Sequence, residues 1–121
     1  MPTSKLQTQL LYPDLEAALE TGDNEALHEI CETLAAEDLA EMILQLSPEN
    51  LIIFFEQIKE ENATKIFELL DVDVQKTILN SVSNQRVAAI VNEMDPDDRT
   101  ELLESLPQSV TRQLLSFLKP R

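Results

Sequence analysis

The chain has 121 residues, a formal net charge of −14, one Cys and one Gly. This length suits a single domain with its own core, and so acidic a chain lacks the basic surface that binds nucleic acids through their phosphates. The single Cys31 excludes an internal disulfide, and no apolar run exceeds five residues, so we expect no membrane-spanning segment in this piece.

A twelve-residue repeat organises most of the chain. Residues 1–11 lie outside it, and we expect a flexible or partly helical segment there; residues 12–121 form the predicted domain. In the seven units that begin at Ala36, the seventh, eighth and eleventh places are always apolar, which places them on one helix face. They are Met42/Ile43/Leu46, Phe54/Phe55/Ile58, Ile66/Phe67/Leu70, Ile78/Leu79/Val82, Ile90/Val91/Met94, Leu102/Leu103/Leu106 and Leu114/Leu115/Leu118.

Helix boundaries are indicated by residues that cap or break helices. The Gly22-Asp23 pair can end one helix and begin the next, and Pro48 and Pro96 force helices to stop just before them. Such short helices are marginal alone and need stacked neighbours. We therefore predict an all-α superhelix of about eight to nine short helices with this repeat. The twelfth place is an N-cap residue type in five units, Asp23, Ser47, Asp71, Ser83 and Asp95.

No catalytic motif is present. One Gly cannot build a phosphate-binding loop, His28 is expected on the surface without a partner, and Cys31 falls on the apolar stripe. We predict no enzyme, no catalytic residues and no cofactor-binding residues. Residues 51–55 are apolar nearly all round and are expected to form the most buried helix, with an exposed partner-binding surface as the alternative.

The helix that follows Asp95 carries the candidate metal ligands. Asp97 and Glu101 are four residues apart, so their carboxylates are neighbours opposite the leucine stripe; Asp98 and Glu104 are weaker candidates. Acidic residues in a first helical turn complement the helix dipole, which accounts for Asp97 and Asp98 but not for Glu101 and Glu104. Two or three carboxylates on a convex face suit a weakly bound, hydrated Mg2+ or half of a site that another surface completes.

The sequence also resembles a known family, the N-terminal cytosolic domain of MgtE magnesium channels. The resemblance covers roughly residues 12–119 and rests on the order and spacing of several motifs together with the capped units. These motifs are Leu15-Glu16-Ala17-Ala18-Leu19, Gly22-Asp23, Ala26-Leu27, Glu37-Asp38-Leu39 and Glu93-Met94-Asp95-Pro96-Asp97-Asp98.

The resemblance implies a Mg2+-sensing regulatory domain at the cytosolic face of the membrane, in a homodimeric parent. It implies CBS domains and a transmembrane channel domain as partners, and Mg2+ bridges to the CBS domains that close the gate. The family's acidic positions fall on Asp97 and Glu101, whereas another position that is acidic in some members holds Lys65 here, which cannot bind a cation. The alternative is a protein-interaction scaffold related to the superhelical rotor-switch proteins of the bacterial flagellum.

Overall fold

The structure is a computed structural model that describes residues 3–117, with the side chains of 3–5, 110, 113 and 117 left out of the description. Within this range the chain forms nine α-helices and one 3-10 turn, with no strand, which confirms the predicted all-α superhelix. The helices are α1 (Thr3–Thr21), α2 (Asn24–Thr33), α3 (Ala36–Met42, extended by the 3-10 turn Ile43–Gln45), α4 (Pro48–Gln57), α5 (Glu60–Glu68), α6 (Val72–Ser81), α7 (Asn84–Glu93), α8 (Pro96–Ser105) and α9 (Gln108–Phe117).

From Asn24 onward, most repeat units consist of a helix of about ten residues followed by extended residues that lead to the next helix. Leu106, at an eleventh place, has φ −90° and ψ 153°, and Asp95, at a twelfth place, has φ −58° and ψ 145°. The eleventh-place side chain therefore enters the core from the linker and not from the helix face that we predicted. Helices stop before Ser47 and Asp95, as predicted.

Three of the predicted N-caps use their side chains. Asp23 accepts a hydrogen bond from the Ala26 N–H at 3.1 Å, and the hydroxyls of Ser47 and Ser83 accept equivalent bonds. The side chains of Asp71 and Asp95 accept none, although both residues occupy the N-cap position. The prediction that the Asp95 carboxylate caps α8 is therefore wrong.

The first helix is longer than the repeat requires. Residues 3–11, which lie outside the repeat, form the first half of α1, and Pro13 lies inside this helix. Gly22 ends it with φ +75°, and the N–H of Asp23 donates to the carbonyl of Ala18 at 2.9 Å. This Schellman-type ending requires the left-handed conformation that glycine adopts without strain.

The core is one continuous cluster between two rows of helices. Successive odd-numbered helices contact each other from α1 to α9, and α4 contacts α6 in the other row. All the stripe residues of the five units 36–95 are buried. At the centre, the ring of Phe55 makes edge-to-face contacts with Phe54 and Phe67, at centroid distances of 5.4 and 6.5 Å.

Burial decreases in the last units. Leu103 is only partly buried and Leu115 is 53% exposed. Leu118 lies outside the described residues. Residues 51–53 pack against the core but remain partly accessible. Helix α5 has four buried residues and α4 has three, so the prediction that residues 51–55 form the most buried helix is wrong.

Polar side chains form hydrogen bonds with backbone groups at the ends of helices in the opposite row. Arg86 on α7 donates from Nε to the carbonyl of Phe55 at 2.7 Å and from Nη2 to the carbonyl of Ile58. In return, Glu56 accepts from the backbone N–H of Ser83 at 2.7 Å. The C-terminal end of α4 and the N-terminal end of α7 therefore satisfy each other's free backbone groups.

Two polar side chains at the fourth place of their units, Gln75 and Thr111, make a similar bond. Gln75 is buried and donates to the carbonyl of Phe67, eight residues earlier, at 2.9 Å. Thr111 donates to the carbonyl of Leu103, again eight residues earlier, at 3.0 Å. Both acceptors are eighth-place carbonyls, so these two fourth-place side chains hydrogen-bond the backbone of the preceding unit.

Candidate functional site

Helix α8 presents its carboxylates in two directions. Asp97, Glu101 and Glu104 are exposed, whereas Asp98 is half-buried. Leu102 and Leu106 are buried and hold the inner side of the unit in the core. Because these leucines fix the rotation of α8, the acidic residues must occupy its outer surface and its border with α5.

A cleft of about 520 Å³ lies where α8 meets α5 and α6. Its lining includes Asp98 and Glu101 from α8, Glu68 from α5 and the buried Gln75 from α6. The structure thus brings two of the four predicted residues to one cleft. Asp97 and Glu104 do not line it.

The carboxyl group of Glu68 in the cleft has a raised pKa. Its pKa is raised, first by partial burial, then by the negative charges of Asp98 and Asp95 and by a hydrogen bond with Asp98. A carboxylate surrounded by like charges is more stable when it is protonated or when a cation is near. The Asp95 charge therefore contributes to the raised pKa of Glu68, while its side chain accepts no hydrogen bond at the N-terminus of α8.

Sequence reasoning missed Glu68 because it treated each helix separately. Glu68 occupies the ninth place of its unit, which is polar in most units and gave no reason to single it out. The exposed Lys65 lies three residues before it on the same helix. Glu68 is thus the carboxylate that α5 contributes to the lining of the cleft.

The carboxylates of α8 have no cationic partner in the described part of the chain. The ion pairs found there are Lys59–Glu32 at 3.3 Å and Lys76–Asp73 at 3.8 Å, both elsewhere. No group of three or more acidic, His or Cys side chains among the described residues could hold a metal ion by itself. A cation at this face would therefore need further ligands from water or from another surface.

The remaining candidate residues serve the fold. His28 is half-buried, and its Nε2 lies 3.1 Å from the carbonyl oxygen of Gln57, so the expectation of a surface His without a partner is wrong. Cys31 is buried as predicted, and burial raises the pKa of its thiol to about 12. Neither residue lines the α5–α8 cleft.

No helix within residues 3–117 combines the length and the apolar character needed to cross a bilayer.

Comparison with known proteins identifies the family. No curated protein matches the chain. The family model of the MgtE intracellular N domain matches residues 34–121, which is most of the chain and includes α8. The chain therefore belongs to the family of MgtE intracellular N domains, which are regulatory domains of magnesium transporters and not enzymes.

Proposed function

We propose that this domain senses Mg2+ through the acidic face of α8 and closes the gate of a magnesium channel. In this proposal Asp97 and Glu101 each provide a carboxylate oxygen to a hydrated Mg2+ that also binds acidic groups of the adjoining CBS domains. The ion is weakly held and shared between the two surfaces. The observation that carries the proposal is the pair of exposed carboxylates, four residues apart, neither of which forms an ion pair with a Lys or Arg side chain within the described residues.

The electrostatics of this face favour cation binding. Asp97 and Glu101 lie at (i, i+4) on α8, where like charges repel by a few tenths of a kcal/mol. Asp98, on the same helix, adds its charge to that of Glu68 in the cleft beside them. An ion placed between this face and a second acidic surface would relieve repulsion within the domain and between the domains.

The same charges supply the opening force when Mg2+ is low. A domain with a net charge of −14 repels an acidic neighbour, so the separated state is favoured without the ion. The ion shifts this equilibrium only because it binds the closed arrangement more tightly than the separated one. Closure should therefore follow the concentration of Mg2+ and weaken when a bridging ligand is lost.

The proposal is tested in the full-length transporter that contains this domain. The combined variant Asp97→Asn and Glu101→Gln keeps the side-chain shapes and removes both charges. We expect closure to require a higher Mg2+ concentration in this variant, measured as Mg2+-dependent channel current or Mg2+ flux.

A matched control separates ligand loss from a general change in charge. Glu25 and Glu29 are also exposed and four residues apart, on α2, and their replacement by Gln removes the same two charges. The control variant should close at nearly the wild-type Mg2+ concentration. Equal Mg2+ responses in the wild type and in the α8 variant would contradict the proposed ligands.

A further inference from the structure

Two leucines lie at places of the repeat that are polar in most units. In the seven units from Ala36, the ninth place is polar in every unit except the one that holds Leu44. The tenth place holds Leu69 in one unit and is polar in five of the other six. Because these places face solvent in the repeat, neither leucine is required by the core.

The fold brings both leucines to one groove. Leu44 lies in the 3-10 turn after α3 and is 57% exposed, and Leu69 lies at the C-terminal end of α5 and is 48% exposed. Helices α3 and α5 contact each other, and the two leucines line a groove of about 230 Å³ between them, with Ala40 and Leu70 also in its lining. We call this the Leu44–Leu69 groove.

The rim of the groove is acidic. Glu37, Glu41 and Asp71 also line it, and none of them forms an ion pair within the described part of the chain. The surrounding sequence adds to the negative charge, because residues 6–58 contain twelve acidic side chains and no Lys or Arg. An apolar groove with such a rim complements large aliphatic side chains flanked by positive charges.

We propose that the Leu44–Leu69 groove is a docking site for a basic amphipathic protein segment. One or two Leu, Ile, Met or Phe side chains of the segment lie on Leu44 and Leu69, and neighbouring Lys or Arg side chains pair with the acidic rim. A second copy of this chain does not fit that chemistry, because it would bring another net charge of −14 against the rim. The proposal does not depend on Mg2+ binding at α8.

The test selects ligands from a displayed random-peptide library on the 121-residue chain. Recovered peptides are labelled, and their affinities are measured by fluorescence anisotropy at two salt concentrations. The variant Leu44→Asn with Leu69→Ser restores the polar character of both places, and circular dichroism verifies its helicity. Leu10→Gln is the matched control, because Leu10 is 66% exposed on α1 and does not line the groove.

We expect the recovered peptides to combine aliphatic side chains with Lys or Arg. Their affinity should fall by about tenfold or more in the double variant, stay unchanged in Leu10→Gln, and weaken with added salt. The proposal is overturned if no peptide is recovered, if the peptides carry no basic residues, or if they bind the double variant as tightly as the wild type. A dimer of the wild-type chain in sedimentation, absent from the double variant, would also overturn it in favour of a second copy.

Discussion

Arg86 offers the most direct test of how the superhelix is held together. Its guanidinium donates to the carbonyls of Phe55 and Ile58 at the end of α4, and no basic residue lies in the last turn of that helix. Replacement by Ala removes both hydrogen bonds, so the carbonyl groups of Phe55 and Ile58 must accept hydrogen bonds from water instead. Replacement by Lys keeps the charge but cannot present two fixed donors in the same plane.

The expected loss follows from the two bonds. A hydrogen bond from a charged donor contributes about 1.5–3 kcal/mol, so both together set an upper range of about 3–6 kcal/mol. Arg86 is only half-buried, so water replaces part of what is lost. We therefore expect Arg86→Ala to lower the free energy of unfolding by about 2–4 kcal/mol, a large share of the roughly 5–15 kcal/mol typical of a domain.

The assay is urea-induced unfolding followed by far-ultraviolet circular dichroism. Arg112→Ala is the matched control, since Arg112 is exposed on α9 and its loss changes the net charge equally. Arg86→Lys should recover only part of the lost stability. If Arg86→Ala and Arg112→Ala lower the free energy of unfolding equally, or if Arg86→Lys recovers all of it, the proposed bridge between α4 and α7 is refuted.

Three further predictions concern single residues. Because the pKa of Glu68 is raised in the folded state, its contribution to stability is present below the ordinary pKa of Glu and is lost as the pH rises through the raised value. At neutral pH, Glu68→Gln should therefore raise the free energy of unfolding, measured in urea, more than Glu61→Gln on the same helix. An equal effect of the two substitutions would argue against the cleft electrostatics. Cys31, buried with a pKa of about 12, should react with iodoacetamide at neutral pH only when the domain unfolds, and fast labelling of the native domain would contradict its burial. Gly22→Ala should cost about 1 kcal/mol in thermal unfolding because of the φ of +75°, whereas an unchanged melting temperature would contradict the Schellman ending.

Much of the fold was predictable because it repeats. The apolar places and the caps are local signals, and seven copies of the same pattern allow each unit to support the others. Ser47 and Asp95 mark the observed helix starts, and the predicted stripe is the observed core. The exceptions are Leu103 and Leu115, which lie on the last two described helices and are not fully buried.

Contacts between units were not predictable from those signals. Arg86 and Phe55 are 31 residues apart in sequence and meet only because α7 lies beside the end of α4. Glu68 was missed for the same reason, because its raised pKa depends on Asp98, which belongs to another helix. Sequence reasoning assigned Asp98 to its own helix dipole, whereas its position in the fold places its charge against α5.

The central claim is that the acidic face of α8 is half of a Mg2+ site. It is tested most directly by calorimetric titration of Mg2+ into the isolated domain and into the domain joined to its adjoining CBS domains. We predict weak or no specific binding to the isolated domain and distinctly tighter binding to the joined protein, which Asp97→Asn with Glu101→Gln abolishes. Equal affinity in both forms, or tight binding that survives these substitutions, would contradict the claim.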